Sequence, residues 1–547
     1  MKAPGSRLRP RRSTRLLAGF ATVSVLLAAC GSDKKADTTS TTKPDATTAS
    51  SASVTTAGST SAKFDRSKYD LEATAKIAYT GPAQTLDPQK FAISTFPTWV
   101  YPIYDRLFQV DAKDTVQPML AKSYDFSSDG KTLTLHLRED VVFHDGTSMD
   151  AAAVKASLER GKTVDGSAVS KVLSGITAID VVDAHTVKLT LSQAGASLIS
   201  VLSSNAGVVM NPKVIADASA DLSMAPPAAV GTGPYVVTKS QPGAATSYAR
   251  APQYWNDSKG LLKGFTLTLV SDPQTRISGL VAGDFDIASS GGDRAEQNAA
   301  DVAAGKYKFV EIPAASFDLA LNMQSGDLAD VNVRKAIALG IDHKAFSAII
   351  KNVETTQPQR AGHWAHNDDI KNVYDPVAAK ALIDARGGAT FEITYGAGTS
   401  YEAVVQVMQS QLAKVGIKVT LRAAEQAQTQ QLFTSGTAQS FMTAVQPQVD
   451  PAETLNRYFL GGVNLAKGTV ATELHAIADP GNDPSLTQDQ RAVIYKKAFK
   501  YIADSYLYNP VLEGVFGYAY TKKVDGLDRM PNAGLSTPDM SGLGILK

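Results

Sequence analysis

The chain has 547 residues, of which 44% are hydrophobic and 20% charged, and its formal net charge is +1. This length is enough for two or three domains with their own cores, and the near-zero charge argues against a general affinity for nucleic acid or anionic membranes. A single cysteine, Cys30, excludes intramolecular disulfides and zinc or iron–sulfur sites held by cysteines.

The start of the chain has the pattern of a bacterial export signal. A basic stretch comes first, an apolar run follows over residues 16–29, and small residues stand directly before Cys30. The run has the length of a signal-peptide core and is short for a membrane span. It resembles a lipobox, which implies a signal peptide over residues 1–29 and an acylated Cys30. The pair Arg11-Arg12 leaves the twin-arginine and general secretory export routes both open.

Residues 30–62 form a segment of different composition. They are rich in Ser and Thr and contain no Phe, Trp, Tyr, Leu or Ile. Such a segment buries too little apolar surface to offset the entropy lost on ordering. We predict a disordered tether between the acylated Cys30 and a folded body, so that the protein works outside a membrane on a lipid anchor.

The first part of the folded body has the pattern of a small antiparallel sheet. Residues 131–137 (KTLTLHL) and 187–191 (VKLTL) alternate apolar and polar side chains, as half-buried strands do. Asp150 is placed to cap a helix over residues 151–160. These elements predict a separate, smaller sheet unit.

The C-terminal half instead predicts parallel strands with helical crossovers. Residues 391–395 (FEITY) indicate a strand, the apolar stripe over 401–415 a helix that ends at Gly416, and 417–421 (IKVTL) a returning strand. A further helix is expected behind Asp330. The body is therefore predicted to be α/β.

Side chains for catalysis or metal binding are sparse. The sequence has no G-x-S-x-G, H-E-x-x-H or P-loop motif, and its one thiol belongs to the lipobox. His363 and His366, followed by two aspartates, could ligate a metal, but they are expected on an exposed loop, and a solvated loop is the favoured interpretation. Gly396 and Gly398 lack the third glycine of a dinucleotide fingerprint. We expect no enzyme, no metal site and no cofactor.

A series of short motifs follows in order along the body, and the longest block runs from Pro118 to Arg160. The others are TLDP at 85–88, YDRLF at 104–108, GTGPY at 231–235, APQYW at 251–255, GDFDI at 283–287, VNVRKAI at 331–337 and QLAKVGI at 411–417. In this order they resemble the extracellular solute-binding proteins of ABC importers, in the branch with oligopeptide-, dipeptide- and nickel-binding proteins.

The resemblance implies a periplasmic-binding-protein-like α/β fold of type II. Two lobes are joined by a two-segment hinge, expected near residues 312–321 and 504–511. A ligand that contacts both lobes would shift the population toward a closed form, which the permease would recognise. The implied domains are lobe I at 63–115, 205–312 and 511–547, an inserted subdomain of lobe I at 116–204, and lobe II at 313–510.

The family pattern breaks at the position that decides the ligand. Peptide-binding members carry an aspartate shortly before a D-P pair, where it pairs with the peptide's N-terminal amine. Here Asp450-Pro451 is kept, but Gln446, Pro447 and Gln448 stand where the acid is expected. Loss of a buried countercharge disfavours a cationic amine, so a neutral, glycosidic or capped-peptide ligand competes with a free peptide.

We expect the ligand in the cleft between the lobes, against aromatic and amide side chains that follow strand ends. For each such residue, ordinary packing is the alternative. The predicted function is a monomeric, lipid-anchored extracellular protein that captures a small, peptide-like solute for an ABC permease. A secreted enzyme, a surface sensor or adhesin on the same fold, and a sugar-binding protein are the alternatives. The predicted ligand-binding residues are Phe96, Trp99, Trp364, Tyr395, Gln446 and Gln448.

Overall fold

A computed structural model describes residues 64–81, 83, 85–91, 96–111, 114–224, 226–227, 230–241, 243–290, 304–349, 352–529 and 538–547. The predicted signal peptide, the acylated Cys30 and the tether lie outside these residues, so they stay predictions.

The strands of the described chain are numbered in chain order. They are β1 Thr74–Tyr79, β2 Phe108–Val110, β3 Val116–Pro118, β4 Ala121–Phe126, β5 Thr132–Leu137, β6 Ile176–Asp183, β7 Thr186–Leu191, β8 Tyr235–Gln241, β9 Ala245–Arg250, β10 Gly264–Leu269, β11 Ile287–Ser290, β12 Lys308–Leu321, β13 Asn352–Val353, β14 Ala389–Gly396, β15 Ile417–Ala424, β16 Ser440–Thr443, β17 Tyr508–Tyr520, β18 Val524–Asp525 and β19 Gly544–Ile545.

The α-helices are numbered in the same way, and a π-helical turn over Leu455–Leu460 follows the eleventh of them. They are α1 Phe96–Val100, α2 Ala151–Thr163, α3 Ser170–Leu173, α4 Leu198–Val201, α5 Pro212–Ala216, α6 Pro273–Ala282, α7 Val331–Gly340, α8 Pro376–Asp384, α9 Tyr401–Lys414, α10 Gln426–Thr434, α11 Pro451–Thr454, α12 Gly468–Ala478 and α13 Gln488–Asp504.

One large mixed sheet runs through the body in the order β15-β14-β16-β12-β17-β11-β1-β10-β9-β8, with β13 beside β17. Strands β11, β1, β10, β9 and β8 form the first lobe's part of the sheet, and β14, β15 and β16 form the second lobe's part. Parallel pairs (β1 with β10 and β11, β14 with β15 and β16) occur in both parts.

The two long strands β12 and β17 connect the lobes. They pair antiparallel from Lys308↔Tyr520 to Ala320↔Tyr508, with register shifts between Pro313 and Ser316 and between Phe317 and Asp318. At one end β17 pairs with β11, and at the other β12 pairs with β16. The first predicted crossing segment lies within β12, and the second overlaps the start of β17.

A separate four-stranded antiparallel sheet, β4-β5-β7-β6, forms the small sheet. In β5 and β7, buried and half-buried residues alternate, because successive side chains point to opposite faces. Buried Leu133, Leu135 and Leu189 pack with Val154 and Leu158 of α2 in a core of their own. The predicted small antiparallel unit is confirmed.

Helix caps and the βαβ unit also follow the sequence. Asp150 accepts a hydrogen bond from Ala153 N at the start of α2, and Asp330 accepts one from Asn332 N at the start of α7. Strand β14, helix α9 and parallel strand β15 form the predicted crossover, and Gly416 between helix and strand has φ 88°. A left-handed backbone favours glycine, which is why the helix ends there.

The buried apolar residues form separate cores. The first lobe is centred on residues such as Ile77 and Phe265, whereas the second lobe has two clusters, one around Leu319 and Met408 and one around Phe441. Such a division is compatible with the domain limits given above, which stay a prediction.

Candidate functional site

The loop after β16 carries two of the predicted ligand-binding residues, Gln446 and Gln448. We call it the 444–450 loop, because β16 ends at Thr443 and Asp450 caps α11 by accepting a hydrogen bond from Ala452 N at 3.0 Å. Since β16 pairs with β12, the loop leaves the sheet beside the strands that connect the lobes.

Strand β12 holds the start of this loop. The Val445 N–H donates to Asp318 Oδ2 at 2.8 Å, and the Ser316 hydroxyl lies 2.9 Å from the Val445 carbonyl oxygen. Asp318 is fully buried, and its burial raises its pKa to about 7 although hydrogen bonds from Ser316 and Val445 act in the opposite direction. A buried carboxyl of a connecting strand therefore contacts the loop backbone directly.

The helical segment after the loop holds its middle. Gln446 N donates to the Tyr458 hydroxyl at 3.0 Å, and Gln448 N donates to Thr454 Oγ1 at 2.9 Å. The Gln448 side chain is used internally, because its Nε2 donates to the Gln446 carbonyl oxygen at 2.9 Å. The half-buried Gln446 side-chain amide has no hydrogen-bond partner among the described residues. It is therefore available to a ligand.

The segment after β13 holds the end of the loop through His363. Its Nε2 lies 3.0 Å from the Val449 carbonyl oxygen, and Ala365 N donates to its Nδ1 at 3.1 Å. The ring therefore donates through Nε2 and accepts through Nδ1, which is a neutral tautomer. Burial lowers the pKa of His363 and so favours this neutral form.

Trp364 belongs to an aromatic and ionic cluster next to the loop. Arg491 donates to Asp450 Oδ2 at 2.7 Å, and its guanidinium carbon lies 5.5 Å from the ring centroids of both Trp364 and Tyr495. The side chains of Arg491 and Asp450 are 12% and 7% exposed, so the ion pair is largely buried. The pair and its cation–π contacts fix the indole beside the loop.

Three of the six predicted residues thus come together at the 444–450 loop, namely Trp364, Gln446 and Gln448. Tyr395 does not join them in the contacts described: it lies at the end of β14, is 8% exposed and packs in the second-lobe core. The ligand-binding roles of all these residues stay predictions.

The two predicted residues of the first lobe lie on α1, in that lobe's own core. Phe96 is 7% exposed and packs against Phe91 and Tyr101, and Trp99 is 2% exposed and donates to the Gly81 carbonyl oxygen at 3.1 Å. Ordinary packing accounts for these contacts. A ligand-binding role for Phe96 and Trp99 stays a prediction.

Charged residues that sequence reasoning missed lie near the connecting strands. Arg360 donates to the carboxylate of Glu513 in β17, and both side chains are largely buried. Asp114, in the turn between β2 and β3, interacts electrostatically with Arg360, and burial raises the pKa of Asp114. Asp114 Oδ1 is buried without a hydrogen-bond partner among the described residues.

Two buried acids that sequence reasoning missed, Asp318 and Glu453, did carry a signal in the sequence. Asp318 interrupts the apolar run FDLAL, and a carboxyl inside an apolar strand has to find buried partners or remain protonated. The signal of Glu453 was weaker. It stands three residues after the helix cap Asp450, and an acid at that position more often hydrogen-bonds to the backbone of the cap residue.

The segment that follows β7 and includes α4 contacts the second lobe away from the connecting strands. Ala196 N donates to the Asn482 carbonyl oxygen at 3.2 Å, and the Ser200 side chain hydrogen-bonds to Glu453. Burial raises the pKa of Glu453 to about 8, although the Ser200 bond lowers it. The two lobes are therefore bridged by contacts at a second place.

The histidine cluster is less exposed than expected. His363 bonds the 444–450 loop, and His366 Nδ1 lies 2.7 Å from the Gln359 carbonyl oxygen, because the segment folds back against the second lobe. Within the described ranges no group of three His, Cys, Asp or Glu could hold a metal.

No helix in those ranges combines the length and apolarity that a membrane span requires.

Two lobes joined by a pair of long strands, with a rigidly held polar loop beside that junction, define a binding protein of the periplasmic-binding type. A sequence model of bacterial extracellular solute-binding proteins, family 5 (middle part), matches residues 115–467. The chain belongs to this family of solute-binding proteins.

The sequence is also similar to individual solute-binding proteins. The glutathione-binding protein GsiB of Salmonella paratyphi A is 26% identical over 484 residues, or 83% of this chain and 92% of that protein. The probable D,D-dipeptide-binding periplasmic protein DdpA of Escherichia coli K12 is 27% identical, with 81% and 89% covered. The solved structure of AgaA from A. tumefaciens R10 with agropinic acid has a TM-score of 0.71 and 25% identity, and covers 87% of this chain and 99% of its own.

Proposed function

We propose that this protein captures a small peptide-like solute at the 444–450 loop, between the two lobes, and delivers it to an ABC permease. The observation that carries the proposal is the loop itself. Its backbone is held by Asp318, Tyr458 and His363, whereas the Gln446 amide keeps no partner among the described residues. A binding group that is fixed before the ligand arrives loses little entropy on binding.

The chemistry of the loop favours amide recognition. A Gln side chain offers one acceptor and two donors, which match the C=O and N–H groups of a peptide. Gln446 and Gln448 supply no charge, and the one acid of the loop, Asp450, is already paired with Arg491, so the loop offers no free countercharge to an amine. The names of the relatives support a peptide-like class, since GsiB is called glutathione-binding and DdpA D,D-dipeptide-binding. A neutral, capped or glycosidic ligand remains the competing class.

Hinge closure is the proposed mechanism. Lobe I (63–115, 205–312, 511–547) with its inserted subdomain (116–204) would close on lobe II (313–510) about strands β12 and β17. The contacts of Ala196 and Ser200 with the second lobe support a closed arrangement, because they bridge the lobes away from those strands. A ligand that gains contacts in the closed form would increase its population.

The remaining parts of the proposal concern the cell surface. The protein would be held outside the membrane as a monomer by an acylated Cys30 and the tether over residues 30–62. It would pass its solute to the permease without altering it chemically. Mass spectrometry of the mature N-terminus should find a diacyl- or triacyl-modified cysteine. Recovery of an unmodified N-terminus would contradict the anchor.

Native mass spectrometry of protein purified from its host is the first test, and a co-purified molecule of peptide mass is expected. Calorimetry would then compare glutathione, a D,D-dipeptide and an N-acetylated tripeptide. The variant Gln446→Ala should weaken the best of them roughly threefold to tenfold, the size of one net hydrogen bond. Gln274→Ala, on an exposed face of α6, is the matched control.

Two results would contradict the proposal. One is an affinity that Gln446→Ala leaves unchanged. The other is a radius of gyration, measured by small-angle scattering, that stays the same at saturating ligand. Hydrolysis of a peptide or ester by the purified body would instead favour the alternative of a secreted enzyme.

A further inference from the structure

We propose that Asp318 and Ser316 act as a proton-responsive positioning pair that sets the conformation of the 444–450 loop. The inference deepens the proposed function and rests on it only where it concerns ligand affinity. Neither residue needs to touch the solute. They would act through Val445, the residue directly before Gln446.

The geometry places two polar side chains of β12 against both polar groups of one loop residue. Val445 N donates to Asp318 Oδ2 at 2.8 Å, and the Ser316 hydroxyl lies 2.9 Å from the Val445 carbonyl oxygen. Ser316 also hydrogen-bonds to Asp318 Oδ2. Asp318 is 0% exposed and Ser316 is 5% exposed, so water does not replace these bonds easily.

The pair has one hydrogen too few to satisfy both ends of Val445 at once. With Asp318 ionised, Oδ2 accepts from the Val445 N–H and from Ser316, and the single Ser316 hydrogen is used there. With Asp318 protonated, its O–H can donate to Ser316, whose hydrogen is then free for the Val445 carbonyl. The N–H of Val445 then loses its charged acceptor. The neutral hydroxyl oxygen is a weaker acceptor, so protonation shifts the stronger hydrogen bond from the N–H of Val445 to its carbonyl oxygen.

Several groups around Asp318 decide when this change occurs. Burial raises the pKa of Asp318 to about 7, Ser316 and Val445 lower it, and the Glu513 carboxylate on the neighbouring strand raises it. Glu513 is in turn paired with Arg360. The other titratable groups that interact with Asp318 are the hydroxyls of Tyr401, Tyr458 and Tyr508, which burial keeps protonated, and a hydrogen bond from Tyr508 also lowers the pKa of Asp318.

Hydrogen exchange of the unliganded protein tests the pair without a known ligand. The protection factor of the Val445 amide, corrected for intrinsic exchange, should fall roughly tenfold as pH falls from 8.5 to 5.5, because a hydrogen bond to a charged acceptor is the stronger one. In Asp318→Asn this profile should be flat. In Ser316→Ala the profile should persist with its midpoint at higher pH, because the carboxylate has lost a donor. Asp284→Asn changes an exposed side chain that has no side-chain hydrogen-bond partner among the described residues, and it should behave as the wild type.

Ligand affinity supplies the second measurement, with glutathione as the probe. Its Kd in the wild type should differ several-fold between pH 5.5 and 8.5, and Asp318→Asn should remove that difference. A flat exchange profile in the wild type, or an unchanged profile in Asp318→Asn, would overturn the proposal. If the exchange profile appears as expected and glutathione does not bind, the positioning pair stands and the proposed ligand class fails.

Discussion

The predicted aromatic residues of the two lobes lie in different surroundings. Trp99 is enclosed in an apolar core, where its ring packs against Tyr79 and its one polar atom bonds a backbone carbonyl. Trp364 instead lies against the Arg491–Asp450 ion pair, beside a loop held by side chains from three directions. The first environment stabilises a lobe, whereas the second fixes the surface that we propose as the ligand-binding site.

A comparable contrast separates two kinds of buried acid, and it does not follow the lobes strictly, since burial also raises the pKa of Asp105 in the first lobe. In the second lobe the carboxyls of Asp318 and Glu453 are buried without a cationic partner at hydrogen-bonding distance among the described residues, and burial raises the pKa of both. In the first lobe the buried Asp539 lies near Lys259 and Arg106, and its pKa is lowered on balance even though its burial acts to raise it. Unpaired acids tend to mark functional sites, whereas paired ones more often serve the fold.

The largest expected effect comes from breaking the ion pair beside Trp364. Asp450→Ala leaves the Arg491 guanidinium buried without its carboxylate, which should lower the free energy of unfolding by about 3–5 kcal/mol. Urea denaturation checks this. The double variant Asp450→Ala with Arg491→Met should recover part of the loss, and a double variant as unstable as the single one would show that the pair itself matters little.

Unfolding measured over a range of pH tests Glu453, the buried acid that contacts Ser200. Glu453 has a folded pKa of about 8, above its ordinary value of about 4.5, so the folded state binds the proton more tightly. Stability should therefore be fully present below about pH 4.5 and fall as pH rises to about 8, by at most about 1.4 kcal/mol per pH unit. Glu453→Gln should have the shallower slope, and equal slopes would contradict the assignment.

The substitution Trp99→Phe tests whether Trp99 of the first lobe has only a packing role. The substitution removes the hydrogen bond to Gly81 and part of a buried ring, and should cost about 1–2 kcal/mol of unfolding free energy. If Trp99 has only this packing role, the affinity for the best peptide probe stays within about twofold. A much larger loss of affinity at unchanged fold would restore Trp99 as a ligand-binding residue.

The smallest effect is expected for an exposed ion pair of the small sheet. Lys122 lies 3.0 Å from Glu139, and both side chains are at least half exposed. Solvent screens such pairs, so Lys122→Ala should change the free energy of unfolding by less than about 1 kcal/mol. Thermal unfolding at low and high salt measures it, and a larger loss would mean that exposure alone does not separate the two kinds of charge pair.

The sequence predicted those elements whose causes are local. The alternation in β5 and β7, the caps at Asp150 and Asp330, and the turn at Gly416 each depend on residues a few positions apart. Ordered family motifs then supplied the two-lobed fold, which physical pattern alone would not have separated from other α/β folds.

The candidate site was predictable only in part. Gln446, Gln448 and Trp364 were predicted because they follow strands or stand out as aromatic residues on loops, and the structure places them at one loop, while their ligand-binding role stays a prediction. Phe96, Trp99 and Tyr395 have the same residue types, yet they pack in cores, because exposure depends on which elements cover a position. Side-chain type alone does not separate the two outcomes.

By itself the sequence determined the periodic elements, their caps and the membership of a binding-protein family, since each is recorded in neighbouring residues or in ordered motifs. Tertiary structure decided what holds the 444–450 loop. Asp318 and Val445 are 127 positions apart, and His363 and Val449 are 86 positions apart. Hydrogen bonds across such separations depend on the folded sheet, in which β12 lies beside β16 and so brings Asp318 to the loop, and no local pattern could have predicted them.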